Sequence, residues 1–389
     1  MALVPLRYPL RSLIVRWRAS LFSALGIGCT VAVFCAIMSL RNGIEQLYES
    51  KGSPDVLIYM RPGATSEGES AIRTDQGEIL KKERPEVARD AKGNPLSSAE
   101  SYLALFLDRI GGGETNVPLR GVEQTSFDIH GDSLRVVEGR RFTAGTDEII
   151  VGRSVSSRIA NAQIGKTLII NITPFKVVGI FENDGPYQSE IWGDVDRFGA
   201  ALNRPLFQRV IAKLKPNIDI EALAKELEDD KRIPAKIQTE RSYMNNQKNA
   251  LGTVLVYLAS LLSTIMGIAA VLGAMNTMLA SVGGRTREVG ILLSLGFGRF
   301  PIFLTFLIEA CLIGMVGGVL GALMVLPFNG IETGTMNMQT FTEVAFAFRV
   351  DSGILLLGAG IATVLGILGG VVPAAVAARM EPCAALRRH

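Results

Sequence analysis

NALGTVLVYLASLLSTIMGIAAVLGAMNTMLASVGG, residues 249–284, carries no charged side chain anywhere along its length. At 1.5 Å per residue a helix of this length runs roughly 50 Å, against ~30 Å of hydrocarbon in a bilayer. A segment this long and apolar is expected to span a membrane, with part of it projecting beyond the lipid. The preceding residues 242–248 are polar and compatible with a helix, so the excess is expected to leave the bilayer outward, as a stalk. A tilted or kinked span is the alternative, with Gly252, Gly267 and Gly273 as its weak points.

Three more apolar stretches flank it: residues 19–40, residues 300–331 broken only by Glu309, and residues 352–378. About two hundred more polar residues separate the first span from the second. The fold class predicted is a membrane protein with four transmembrane α-helices and a large α+β extracytoplasmic domain between helices 1 and 2. The first apolar run exceeds the 7–15 residues of a cleaved signal's core and reads as an uncleaved anchor. Arg7, Arg11, Arg16 and Arg18 precede it, Arg285, Arg287 and Arg299 lie between spans two and three, and Arg379, Arg387 and Arg388 follow the fourth. All fall on one side of a four-span topology, which the positive-inside rule makes the cytoplasm. Arg7, Arg11 and Arg18 with Trp17 fit an amphipathic segment on the cytoplasmic leaflet. The localisation expected is the bacterial cytoplasmic (inner) membrane, with both termini inside.

A net charge of +3 is mostly explained by these arginines, which leaves no broad basic face for nucleic acid. Cys29, Cys35 and Cys311 lie in spans and Cys383 in the tail, so the external domain has no thiol to oxidise. Within that domain, residues 55–61, 101–107, 208–214 and 233–239 read as strands, and residues 74–90 and 218–230 as helices. They suggest a split α/β subdomain with an inserted β-rich subdomain at about 117–201, where EIIV, TLIIN and FKVVGIF alternate with turns. Gly111 to Gly113 is the expected flexible passage between the two.

Catalytic chemistry is sparse. Gly165-Lys166-Thr167 has Ala160 where a phosphate loop needs glycine, and reads as a turn into a strand. His130 and His389 fall on opposite sides of the membrane, so neither a histidine metal site nor a histidine-assisted nucleophile is expected. Glu182, Asp184 and Glu190 read as solvated turn carboxylates rather than an acid/base pair, and Asn171-Ile172-Thr173 matches a glycosylation acceptor followed directly by Pro174. In the spans, Gly314 with Gly318, Gly317 with Gly321, and Gly366 with Gly370 have the four-residue spacing of close helix contact. Glu309 and Asn276 are the intramembrane polar positions, and Glu309 is read as a packing or hydrogen-bonding residue.

NTMLASVGGRTREVGILLSLGFGRFPIFLTFLIEACLIGMVGGVLG from Asn276, together with the C-terminal VVPAAVAARMEPCAALRR, resembles the signature of MacB/FtsX-type ABC transporter permeases. The N-terminal SLIVRWRASLFSALGIGCTVAVF and the external DEIIVGRSVSSRI and FKVVGIFENDG carry the same resemblance. It implies a cytoplasmic coupling helix seated in a groove of an ABC ATPase, here at Arg285, Thr286, Arg287, Glu288, Val289, Gly290, Ile291, Leu292, Leu295 and Gly296. Val289, Leu292 and Leu295 are expected to form its apolar strip, with Arg287 and Glu288 at the rim. No phosphate loop occurs in these residues, so ATP and magnesium are expected on a separate partner ATPase, with no cofactor or metal on this chain. The resemblance also implies a dimer with a second permease copy or homologue, contact with membrane lipids, and for exporters a periplasmic adaptor and an outer-membrane channel.

The chain is thereby divided into an amphipathic segment (1–18), a first span (19–40) and the MacB-like domain (41–248). A stalk with the second span (249–283), the coupling helix and loop (284–299) and a third span (300–326) follow. An extracytoplasmic loop (327–351), a fourth span (352–378) and a cytoplasmic tail (379–389) complete it. The function implied is that of a permease transmitting ATP-driven motion to extracytoplasmic export or lipid and lipoprotein handling. A signalling subunit controlling an extracytoplasmic enzyme is the alternative.

Overall fold

The computed structural model describes residues 11, 13–48, 52–183, 185–337 and 342–381. Arg7, Asp184, Cys383, Arg387, Arg388 and His389 lie outside the described residues, as does most of the amphipathic segment and of the C-terminal tail. The chain forms two compact units, a membrane unit of residues 1–43, 252–331 and 347–389, and an α/β unit of residues 44–251 and 332–346.

Four helices are long and apolar enough to cross a membrane: α1 (Trp17–Tyr48), then, beyond the α/β unit's own elements, Glu240–Gly283, Arg299–Phe328 and Ser352–Ala378. The first continues eight residues past the expected end at 40, because Arg41, Asn42 and Glu45 are ordinary helix residues that only the membrane criterion excluded. Glu240–Gly283 is a single helix of 44 residues, about 66 Å long, and Gly252, Gly267 and Gly273 leave it unbroken. It begins nine residues before the expected stalk, immediately after a strand.

The α/β unit is organised by one ten-stranded mixed sheet. Its elements are β1 (Val56–Met60), β2 (Ile72–Arg73), α2 (Thr74–Lys82), β3 (Ser97–Asp108), β4 (Glu114–Val122), α3 (Thr125–His130), β5 (Leu134–Gly139) and β6 (Glu148–Gly152). There follow α4 (Arg153–Arg158), β7 (Thr167–Ile170), β8 (Thr173–Asn183), β9 (Ile191–Asp194), α5 (Val195–Ala201), β10 (Leu206–Phe207), β11 (Arg209–Lys213), α6 (Ile220–Glu228) and β12 (Lys236–Thr239). The sheet order is β12-β1-β11-β3-β4-β9-β6-β8-β5, with β7 on β8. The β4/β9 and β6/β8 pairs are parallel and the rest antiparallel. Every residue of β1, VLIYM, is buried, as expected of a strand covered on both faces. Asp219 caps α6 by accepting from the Glu221 and Ala222 amides at 3.0 and 3.2 Å.

Two hydrophobic cores lie along this sheet. One gathers Leu57, Tyr59, Leu80, Val210, Leu223 and Leu227, and the other Val117, Ile149, Val177, Phe175, Ile191 and Phe198. The expected insert boundary at 117 falls inside β4, which pairs with β3 on one side and β9 on the other, so the sheet runs unbroken through it. Gly111, Gly112 and Gly113 are correspondingly not a passage between subdomains. They turn the β3–β4 hairpin with φ of +96, +103 and +82°, which glycine adopts without steric penalty.

The membrane unit consists of most of α1, residues 252–283 of α7 (Glu240–Gly283), α8 (Thr286–Ser294), α9 (Arg299–Val325) and α10 (Ser352–Ala378). Residues 327–351 form more than a loop: β13 (Glu332–Asn337) and β14 (Thr342–Ala347) pair as a hairpin. Within the α/β unit Thr342 Oγ1 hydrogen-bonds Tyr102 OH at 3.1 Å, and the Ala345 amide donates to Ser189 Oγ at 3.2 Å. The Glu343 carboxylate meets Arg109, Arg158 and Thr115.

Candidate functional site: the coupling helix and two buried ion-pair assemblies

Gly283 and Gly284 end α7, and α8 follows with Arg285 at its N-cap. It stops at Gly296, whose φ of +89° is the left-handed position that closes a helix C-terminus. Val289 and Gly290 are buried, and Leu292 and Leu293 pack against the membrane unit's core. Arg287, Glu288, Ile291, Ser294 and Leu295 are exposed, with Leu295 71% accessible. The expected strip of Val289, Leu292 and Leu295 is therefore corrected. The outward strip is Arg287, Ile291 and Leu295, spaced by four, because the membrane unit takes the face bearing Val289 and Leu292.

Arg285, the first residue of the expected coupling segment, is internal, for only 5% of its surface is accessible. Its Nη1 donates to Glu309 Oε2 at 2.9 Å and its Nε to Glu288 Oε2 at 3.2 Å, and the guanidinium lies 5.1 Å from the Phe306 ring centre. Glu309 and Phe306 share a face of α9, so one guanidinium bridges the first turn of α8 to the third span. Thr286 Oγ1 donates to the Gly283 carbonyl at 2.5 Å, while Asn276 is exposed on α7.

Glycine sets the spacing of the spans. A methyl on Gly314 would stand 2.5 Å from the Ala362 carbonyl oxygen, and one on Gly366 would stand 2.6 Å from that of Ala310. Gly318 and Gly370 meet Ala362 and Ala310 in the same contact. Gly317 and Gly321 face α1 instead, against the carbonyls of Ala24 and Gly28. Helix α9 thus uses two glycine pairs for two different neighbours.

The α/β unit holds an assembly that sequence reasoning missed. Arg120 forks onto Glu190, Nε to Oε2 at 2.7 Å and Nη2 to Oε1 at 2.8 Å, while Nη1 reaches Glu67 at 2.6 Å and Glu100 at 3.2 Å. Arg209 donates to Glu100 at 2.7 Å, to Glu67 at 2.6 Å and to the Tyr187 hydroxyl at 3.2 Å. Trp192 Nε1 and Ser126 Oγ complete Glu190 and Glu100 at 2.8 and 2.6 Å. Tyr187 in turn donates to Glu240, the first residue of α7, whose other oxygen accepts from the Ser53 amide; both contacts are 2.8 Å. All six charged groups are at least 95% buried. Glu190 is therefore not a solvated turn carboxylate; Glu182 is exposed and paired with Arg153 at 2.9 Å.

Burial alone would raise the Glu100 carboxyl, but Arg209 and Arg120 outweigh it and hold it below the usual carboxylate range. Burial lowers the His130 imidazole, against the opposing pull of Glu240 and Glu100. His130 Nδ1 is 3.6 Å from Glu240, and its ring packs on Tyr187 and Trp192. A charged residue within an otherwise apolar strand, such as Arg120 in VPLRGV, was the available signal. Among the described residues no group of three or more His, Cys, Asp or Glu side chains is arranged to hold a metal ion.

Comparison with known proteins places this sequence in a family. Residues 20–230 match the model of the MacB-like periplasmic core domain, and residues 260–382 that of the FtsX-like permease C-terminal region. The macrolide export ATP-binding/permease protein MacB of Bordetella avium is 26% identical over 391 residues, covering 94% of this chain and 57% of that protein. The uncharacterised ABC transporter permease YknZ of Bacillus subtilis is 25% identical over 415 residues, 98% of each chain. The chain thus spans 55–60% of the length of the MacB relatives and nearly all of YknZ. Among solved structures, the periplasmic region of MacB from Actinobacillus actinomycetemcomitans aligns at 14% identity and a TM-score of 0.37, covering 50% of this chain and 93% of that one. The extracellular domain of YknZ from Gram-positive bacteria aligns at 16% and 0.35, covering 47% and 98%. Members of this family are permease components of ABC transporters that work with an ATPase. With a MacB-like periplasmic core domain and an FtsX-like membrane region together matching most of its length, the chain belongs to the MacB/FtsX-type ABC transporter permeases.

Proposed function

We propose that this chain is the permease subunit of a mechanotransmitting transporter, driven by ATP hydrolysis on a separate cytoplasmic ATPase and acting on a substrate outside the membrane. The observation that carries this reading is α8, a short helix with one face packed on the membrane unit and an outward strip of Arg287, Ile291 and Leu295 rimmed by Glu288. Such a strip suits a groove on a partner: an apolar centre flanked by opposite charges. The unbroken α7 supports the mechanical half of the reading, since a continuous helix passes displacement along its axis where a hinged one dissipates it. The MacB relatives are named for macrolide export, which favours export of an apolar small molecule over signalling. Val254, Leu261, Ile265, Ile268 and Leu272 are exposed on α7 and provide an apolar flank for lipid or for a second permease copy.

The test is co-purification with a candidate ABC ATPase co-expressed with this chain. Ile291→Asp and Leu295→Asp place a charge in the groove and are expected to abolish recovery of the ATPase while the permease stays folded, because both side chains are already in contact with solvent. Full recovery of an active complex with both variants removes α8 from the interface. The orientation is tested by cysteine accessibility in intact cells. A cysteine at Ile172, 85% exposed, should react with a membrane-impermeant thiol reagent, whereas one at Arg287 should not. The reverse pattern inverts the topology.

A further inference from the structure

We propose that Arg285 and Glu309 are a positioning pair that fixes the attitude of α8 on the membrane unit. It rests on the reading of α8 as the coupling helix only for its consequence, not for its geometry. Helix α7 ends on Gly283 and only Gly284 stands between it and the N-cap of α8, so two consecutive glycines give that joint little stiffness. At its far end α8 closes on Gly296, again a residue without a side chain. The apolar inner face formed by Val289, Leu292 and Leu293 resists lifting of the helix but does little against sliding or rotation, since apolar contact is not directional. Arg285 supplies the missing direction. Its planar fork makes two contacts in different directions, to Glu288 on α8 and Glu309 on α9, while its flat face rests against Phe306. A guanidinium held this way defines both the rotation of α8 and its height along α9. Glu309 is thus retained within an apolar span because it carries the other half of the clamp.

The test uses the full-length chain in lipid nanodiscs, with its four cysteines replaced and a spin label attached through Leu295→Cys at the exposed end of α8. A control label through Met315→Cys reports on α9, where that residue is exposed. Arg285→Met keeps an unbranched stem against Phe306 and removes the fork. It is expected to speed the motion of the label at 295 several-fold while leaving the label at 315 and the elution profile unchanged. A merely structural pair would disturb both labels together. Glu309→Gln retains shape and one hydrogen bond without the charge, and is expected to shift the 295 label in the same direction by a smaller factor. If Arg285→Met does not accumulate, the Gln variant carries the test. A label at 295 as slow as in the unsubstituted chain, in either folded variant, overturns the proposal. Co-purification of the ATPase with chains that carry no label at 295 separates this from the functional reading. A mobile α8 in Arg285→Met leaves the positioning pair standing even if Ile291→Asp and Leu295→Asp keep full ATPase recovery and so refute α8 as the interface, whereas an immobile α8 refutes the pair whatever the ATPase does.

Discussion

In the α/β unit two guanidiniums are shared among Glu67, Glu100 and Glu190, with Glu240 joined through Tyr187, whereas in the membrane unit Arg285 meets Glu309 and Glu288. The first assembly takes its members from a 3-10 turn, β3, β4, β11, the start of α7 and the turn before β9, so it ties segments on which both hydrophobic cores are built. The second ties one short helix to one span. The surroundings differ accordingly: phenyl and indole rings crowd the first, and the second sits beside helices held together by glycine and alanine. A folded domain in water can give several elements a common buried polar centre, because the hydrophobic effect has already assembled them. Helices in lipid have no such driving force between them, and there close backbone approach carries the packing while a charged pair is kept for orientation.

The comparison breaks most readily at Arg209. Arg209→Met leaves Glu67 and Glu100 short of charge in a dry site and is expected to cost about 3–5 kcal/mol of α/β-unit stability. With Trp17→Phe, Trp192 is the sole remaining indole and sits inside the cluster, so its emission during denaturant unfolding of the full-length protein is the measurement. A loss below about 1 kcal/mol would mean the cluster is not a common support.

In the membrane unit, overpacking is the matching assault. Gly366→Leu drives a side chain into the Ala310 carbonyl and is expected to cost about 1–3 kcal/mol, seen as a lowered melting temperature in detergent. Gly273→Leu, at a position with nothing within 4 Å, should leave the melt unchanged. Equal effects at the two sites would separate span packing from glycine contact.

The smallest effect is on pH dependence. Burial depresses His130 in the folded chain, so as pH falls below about 6.5 the unfolded chain takes up this proton first and stability declines. Glu100, also depressed, contributes stability that is present above its ordinary value near 4.5 and is lost as pH falls further, through its folded value. The two losses therefore begin at different pH values, the first near 6.5 and the second near 4.5. His130→Gln should flatten the stability profile in the upper window and leave the lower one intact. An unaltered slope below pH 6.5 would show that the imidazole titrates alike in the folded and unfolded chains.

The spans were legible because membrane insertion is decided by local composition, and a run such as residues 249–284 needs no partner to be recognised. Most strands of the α/β unit were legible as segments for a similar reason, but their neighbours were not. β1 lies between β11 and β12, more than a hundred residues away, and nothing local specifies that pairing. The buried cluster was hidden for the same cause. Glu67 and Arg209 are 142 residues apart and, taken singly, resemble ordinary surface charges. The coupling segment was found by resemblance, yet which of its faces points outward depends on the membrane unit beneath it. Local pattern alone therefore does not show that Val289 and Leu292 are taken up by that unit.

β12 ends at Thr239 and α7 begins at Glu240, with no residue between them. Such a junction has a phase as well as a position. One added residue would turn the helix by about 100° and advance it 1.5 Å, carrying Glu240 away from Tyr187 and Ser53. Length variation is thus forbidden at this seam, where a single residue would re-index the side chains of the helix's first turns, within the α/β unit, against the sheet that sets its starting angle.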